Sequence, residues 1–548
     1  MRFHTLVVAL AGVGATSAAL GTEPARFSRF SYEGRSQERV KVGPGQYRNP
    51  ILSGYYPDPS ITRVDDTYYL VLSSFAHYPG LPIFRSKDLV NWTQIGNAID
   101  WPEQLDFSGM QTSQAVFAPD ISFHNGVFYI ASTCVGCGGN FVITAKDPAG
   151  PWSNPTWLPF EGIDPSIYWE GDRAYIVNNR APAEPARYNG HRAIWTQEFD
   201  WRVGKMVGES TQLVNGGVDL ATKPVWIEGP HILKKDGWYY LTAAEGGTGV
   251  NHSQVVLRSR QLRGPYVPFA GNSILTQRDL DPARPNPITS AGHAKLVQTQ
   301  SGEWFATFLA VRPYEGDYYN IGRETFLLPV TWRDGWPIIL PKGQAIPFTN
   351  RMPKLPRQAS ASIATAGDFA YVDDFDGDKL AMQWVGVRTP KRPFYQLEGG
   401  DLVLDRGARM GDLSGVPAFV GRRQQHHVAT ITTTVRFTPQ VDGERAGLAA
   451  LQSDRNHLFF GLAQIAGKPV VALYTTEAGE ERLVASAPAS TKTPMTLTIR
   501  VNGGSMAFDY EGAGGKRTLT SDVDARFLST KTATGFVGTL IGPYAWIR

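Results

Sequence analysis

The sequence predicts an all-β chain: a five-bladed β-propeller followed by an antiparallel, concanavalin-like (lectin-like) β-sandwich. Three observations carry that prediction. A short unit recurs five times, made of a polar residue, an apolar strand, a tight turn and an aromatic strand. Its turns include Asn-Gly and Asp-Gly, which favour two-residue hairpins. Gly and Pro number 57 and 38 in 548 residues, as a turn-rich chain with few helices requires.

Taken in order, the chain opens with MRFHTLVVALAGVGATSAALG. A basic start, an apolar run from Leu6 to about Val13 and small residues at Thr16–Ala19 read as a secretory signal over 1–21, too short in its apolar part to span a bilayer. A secreted, extracellular protein is expected, or a periplasmic one in a bacterium. Residues 22–47 are polar and read as a tether. The first unit is Asp58-Pro-Ser-Ile, a turn at Asp65-Asp66 and Tyr68-Tyr69-Leu70. The second is Asp120-Ile-Ser-Phe, Asn125-Gly126 and Phe128-Tyr129-Ile130. The third is Asp164-Pro-Ser-Ile, Gly171-Asp172 and Ala174-Tyr175-Ile176. The fourth is Glu228-Gly-Pro-His, Asp236-Gly237 and Tyr239-Tyr240-Leu241. The fifth is His293-Ala-Lys-Leu, Ser301-Gly302 and Trp304-Phe305-Ala306. Five such units in series are what five blades need, and they set the propeller at 48–348. A Pro-, Ser- and Ala-containing linker follows at 349–368. The sandwich, 369–548, shows alternating segments such as Ala429–Phe437 and Thr496–Val501, the latter ending at an Asn502-Gly503 turn.

The formal charge of +3 is too small to argue for nucleic acid or a membrane surface. The 14 Trp, 22 Tyr and 27 Phe fit sugar stacking and an all-β core alike. Cys134 and Cys137 are the only cysteines; they allow a local disulfide but lack the further ligands a zinc site needs.

In a propeller the innermost strands surround one axis, so Asp58, Asp120, Asp164, Glu228 and His293 should converge there. Four carboxyls and a histidine around one pocket make a functional site. Glu228 heads a hairpin, with Trp226 and Trp238 expected to wall it, and desolvation there would raise its pKa toward that of a general acid. Each residue also has a plainer role: Asp-Pro is a common turn, and a lone histidine is more often a satisfied core residue than a ligand.

The segments Tyr56-Pro-Asp-Pro-Ser60, Phe117-Ala-Pro-Asp120, Ile163-Asp-Pro-Ser166, Glu228-Gly-Pro-His231, Gly292-His-Ala294 and Ile321-Gly-Arg-Glu-Thr325 resemble glycoside hydrolase family 43, the β-xylosidases and α-L-arabinofuranosidases with a five-bladed propeller. The resemblance implies Asp58 as general base, Glu228 as general acid and Asp164 as the residue that orients the acid and tunes its pKa, with inversion at the anomeric centre. It implies substrate contacts from Arg323, Phe75, Thr248, Phe117 (where the family usually has Trp) and His293, and leaves Asp120 structural. Arg323 has the competing reading of an ion pair with Glu324. The chemistry requires no cofactor, and the resemblance allows a hydrated calcium ion near the axis, reached through water by His293. Leu540 is the position expected to face the pocket from the sandwich and to favour chain ends. The expected substrates are xylo- or arabino-oligosaccharides of hemicellulose. Asn179-Arg180-Ala181, where some xylosidases carry an aromatic, leaves xylose and arabinofuranose both open. An arabinofuranose-specific debranching enzyme and a non-catalytic sugar-binding propeller are the alternatives.

Overall fold

The computed structural model describes residues 23–548, so the signal-like segment 1–21 lies outside the described residues. Five antiparallel sheets, three of four strands and two of five, follow one another in chain order. Their innermost strands are Ser60–Val64, Asp120–His124, Ile163–Glu170, Glu228–Lys235 and Thr289–Gln298, and the fifth blade closes with Trp336–Ile338. The turn chemistry works as the residues dictate: Asn125 and Gly126, and Asp236 and Gly237, all take positive φ, between 49° and 78°, as type I′ hairpins need. Aromatics of the first and second strands pack blade on blade, with Tyr69 edge-on to Phe128 and Tyr129 against Trp169, ring centroids 4.9 and 5.1 Å apart.

The hub is pinned by one carboxylate. Asp120 accepts from Ser60 Oγ (3.0 Å), from Ile167 N (2.9 Å) and from Lys295 Nζ (2.5 Å), and faces His231 Nδ1 at 3.5 Å. Ser60, Asp120, Ile167, His231 and Lys295 belong to the five successive blades, so a single side chain ties all of them. It does not line the site cavity; the expected convergence holds for the other four polar residues.

The expected tether at 22–47 is, over its described residues 23–47, part of the folded structure. Ala25–Arg35 is a strand of the sandwich, paired with Val428–Arg436, Phe369–Asp373 and Asp401–Leu404. Phe27, Phe30 and Tyr32 are buried there because that is where this segment's apolar side chains find a core. Gln46–Arg48 then pairs with Thr349–Arg351, and Ile51 N donates to Thr325 O, which closes the ring between first and last blades. The linker is likewise a packed strap: Gln358 N donates to Asp88 Oδ2 and Ser53 N to Thr365 O.

The sandwich consists of two antiparallel sheets around an apolar core that includes Phe27, Phe30, Leu448, Phe460, Leu497 and Phe508. Among the described residues the only α-helix is the single turn Thr530–Ala533. Cys134 and Cys137 are disulfide-bonded. Arg423 Nε donates to Tyr55 O (2.6 Å) and Arg388 N to Ala76 O (2.7 Å), joining sandwich to propeller. Buried Arg312 bridges Glu324 (2.6 and 2.8 Å) and Glu38 of the N-terminal segment.

Candidate active site

Asp58 and Asp164 precede prolines at equivalent places in the first and third blades, and both hold φ at 54°, as does His293 in the fifth. Left-handed backbone is uncommon for such residues and persists where surrounding structure enforces it. Here it turns three side chains toward the axis. Gly229, after Glu228, also has positive φ (55°), and a Cβ there would come within 2.4 Å of His293 Nε2, so only glycine fits.

The result is a cavity of about 300 Å³ lined by Asp58, Asp164, Glu228, His293 and Arg323, with Phe75, Phe117, Thr248, Trp226 and Phe536 as its walls. That is the small end of the ~300–1,000 Å³ range of ligand pockets. All five polar groups are nearly buried, at 4–8 % exposure.

The three carboxyls have been driven apart in proton affinity. Burial alone would raise Asp58, but the Arg323 guanidinium, the His293 ring and Ser73 outweigh it and hold the carboxyl below its ordinary value. Arg323 donates from Nη1 to Oδ1 (2.7 Å) and from Nη2 to Oδ2 (3.2 Å), and Ser73 Oγ donates to Oδ2 (2.6 Å). Burial dominates at Glu228, with Asp164 and Asp58 adding repulsion, and its pKa is pushed well above the usual range. Burial also raises Asp164, to about 6, against the pull of His293 and of Gly229 N, which donates to its Oδ2 at 3.1 Å. Glu228 makes no side-chain hydrogen bond among the described residues, leaving its carboxyl to the cavity.

The predicted site residues Asp58, Asp164, Glu228, Arg323, Phe75, Phe117, Thr248 and His293 all line this one space. Arg323 pairs with Asp58 rather than Glu324, whose carboxylate is occupied by Arg312 and by Gly54 N at 2.7 Å. Two expectations are corrected. Leu540 begins the strand Leu540–Trp546 and is buried inside the sandwich, opposite Leu451. The residue that enters the cavity is Phe536, in the preceding loop, stacked on Phe75 at 5.6 Å and 18° and fixed by Phe536 N donating to Ser113 Oγ. Trp238 does not wall Glu228. It lies across from Lys235 at the turn end of the hairpin, whereas Glu228 is at the other end, opposite Ala244.

Among the described residues no group of three or more His, Cys, Asp or Glu is placed to hold a metal ion. His293 brings one imidazole, a poor match for the oxygen-rich shell calcium prefers. The residues present do not make a direct calcium site, and no step below passes through one.

A propeller whose axis gathers three carboxyls of separated proton affinity in a sugar-sized cavity defines the class: this protein is a glycosidase. Residues 47–337 match the family described as Glycosyl hydrolases family 43, and residues 372–547 match the Beta xylosidase C-terminal Concanavalin A-like domain; the chain belongs to glycoside hydrolase family 43. It is 37% identical over 504 residues to a xylosidase/arabinosidase of Butyrivibrio fibrisolvens, covering 91% of this chain and 95% of that one. It is 34% identical to the non-reducing end alpha-L-arabinofuranosidase BoGH43B of Bacteroides ovatus, with 92% of each chain covered. Among solved structures, a GH43_12 protein retrieved from capybara gut metagenome superposes with a TM-score of 0.89 at 37% identity, covering 96% of this chain and 100% of that one.

Proposed function

We propose that this glycosidase is a secreted, inverting enzyme that removes xylose, arabinofuranose or both from the ends of hemicellulose oligosaccharides. The observation that carries the reading is the split among the carboxyls: one lowered in proton affinity by Arg323, one raised by burial, both in one cavity. Asp58 is the general base. A carboxylate has about four acceptor sites, and Arg323 and Ser73 fill both on Oδ2 and one on Oδ1. The free position is on Oδ1, beside His293, whose Nδ1 lies 3.5 Å away. The attacking water belongs there, aligned by Asp58 and stripped of its proton as it reaches the anomeric carbon. Glu228, whose burial raises its proton affinity, delivers its proton to the leaving oxygen. Asp164 orients this step through Gly229 N–H and adds the repulsion that keeps Glu228 protonated. Inversion needs the two working carboxyls roughly 6.5–9.5 Å apart, with room for water.

The walls Phe75, Phe117 and Phe536 close the cavity to about one sugar, which favours chain ends. The names of the relatives support both sugars as substrates, and an arabinofuranose-only enzyme is the second reading, which Asn179-Arg180-Ala181, without an aromatic, leaves open. Export rests on the sequence of residues 1–21. The test is a product assay on arabinoxylan oligosaccharides and on p-nitrophenyl xyloside and arabinofuranoside, with Asp58→Ala, Asp164→Ala and Glu228→Ala beside the wild type. The sugar released separates the two readings. Activity of Glu228→Ala equal to wild type on unactivated oligosaccharides would overturn the acid assignment.

A further inference from the structure

The cavity has a wall that the three carboxyls do not use. Trp226 stands two residues before Glu228, and Ile227 between them is fully buried among the core residues of the third and fourth blades. Trp226 and Glu228 therefore face the same space, and both line the cavity. The backbone at Trp226 is left-handed, φ 50°, which a bulky aromatic adopts only under constraint. Its N–H donates to Gly190 O at 2.9 Å, and its side chain remains at its position with 36 % exposure, while the other large lining aromatics Phe75 and Phe117 are more buried.

The guanidinium of Arg192 lies over the Trp226 ring, 4.8 Å from its centroid. Arg192 Nε donates to Asn179 Oδ1 at 2.8 Å, and its two terminal nitrogens have no hydrogen-bond partner among the described residues. Asn179 is itself fully buried, with Nδ2 unpartnered, and sits in register opposite Ile163 of the cavity wall. A half-buried arginine with free donors, anchored by a buried amide with a spare donor, is an unfilled set of hydrogen bonds. Stacked on Trp226, which lines the cavity two residues before Glu228, Arg192 lies on the acid's side and just behind the lining.

A general acid protonates the oxygen that departs, so the leaving group lies on the side of Glu228. We propose that Trp226 and Arg192 form the leaving-group subsite: the departing sugar ring packs on the exposed part of Trp226, and adjacent hydroxyls accept from the free Arg192 N–H groups. The ligand class is a pyranose with vicinal hydroxyls, as in a xylan backbone. This deepens the proposed function and rests on Glu228 being the acid.

The test compares two substrates that need the same proton but differ in leaving group. Wild type is first offered xylosyl and arabinofuranosyl substrates, and the sugar it releases decides whether the pair is xylobiose with methyl β-xyloside or the arabinofuranosyl equivalents. A change of sugar alters the function reading and leaves the subsite test intact. Arg192→Gln is expected to lower kcat/KM on the disaccharide tenfold or more, chiefly through KM, and to leave the methyl glycoside within twofold; Trp226→Ala, which also opens the wall beside Glu228, is expected to lose at least tenfold more on the disaccharide than on the methyl glycoside. The methyl glycoside also shows that each variant is folded. Equal losses on both substrates, or no loss on the disaccharide, would overturn the subsite.

Discussion

The propeller and the sandwich solve burial in opposite ways. Along the propeller axis the buried groups include Asp58, Asp120, Asp164, Glu228, His231, His293 and Arg323. At the centre of the sandwich they are Phe27, Leu448, Phe460, Leu497 and Phe508. Buried charge is costly unless paired, and the propeller leaves only part of its set paired: Asp58 has Arg323, Asp120 has Lys295, and Glu228 has no ion pair among the described residues. The region that carries the chemistry is the one that tolerates an unbalanced interior, while the sandwich contributes shape through one loop.

That contrast predicts a hierarchy of effects. Glu228→Gln and Asp58→Asn should each lower kcat on oligosaccharides by ~10²–10⁴-fold, the scale of acid or base assistance; a comparable loss from any apolar sandwich substitution would break the contrast. Arg323→Gln removes the cation that holds Asp58 down. The acid limb of the pH–kcat/KM profile, where Asp58 takes up its proton, should then move to higher pH, and the alkaline limb, set by ionisation of Glu228, should move the same way, because Arg323 also pulls on Glu228, though there burial and the two aspartates outrank it. An unmoved acid limb would separate Asp58 from the base role.

Stability should divide the same way. Lys295→Met strands the Asp120 carboxylate and should cost roughly 3–5 kcal/mol. Phe508→Ala in the sandwich should cost a similar ~3–5 kcal/mol by opening a cavity. Urea unfolding measures both, and a Lys295→Met variant as stable as wild type would remove Asp120 as the tie of the hub. Phe536→Ala removes a stacked ring worth ~0.5–1.5 kcal/mol and should reduce kcat/KM about tenfold or less. A last effect, read through pH, is at Asp164. Its folded pKa of about 6 lies above its ordinary 3.8, so its contribution to stability is fully present below that ordinary value and is lost as pH rises through 6. Asp164→Asn should therefore have a higher Tm than wild type at pH 8, the gap closing by pH 4; a gap that is independent of pH would remove burial of the carboxyl as its cause.

Much of this was legible in the residues. The hairpins could be read because Asn-Gly and Asp-Gly demand positive φ at both turn positions, and the five polar strand heads followed from the repeat. The strand Ala25–Arg35 could not, because its register shifts between Phe27 and Arg29. A bulge breaks the alternation that marks a strand, so ARFSRFSYEGR reads as polar chain. Phe536 was missed for a related reason: a loop has no period, and nothing local distinguishes a ring that plugs a distant cavity from one that packs at home. The role of Asp120 as a five-blade tie depends on Lys295, a contact between blades that no local pattern records.

The pairing of Ala25–Arg35 with Val428–Arg436 has a consequence for biosynthesis. The propeller is nested within the sandwich, so the ribosome releases one leading strand long before its neighbour exists. At ~5–20 residues per second the wait is on the order of tens of seconds. During that interval Phe27, Phe30 and Tyr32 are an orphan edge, exposed to mispairing with other nascent chains. A finished propeller brings the two halves of the lectin-like fold together, and the last domain to emerge is also the one that retrieves the first.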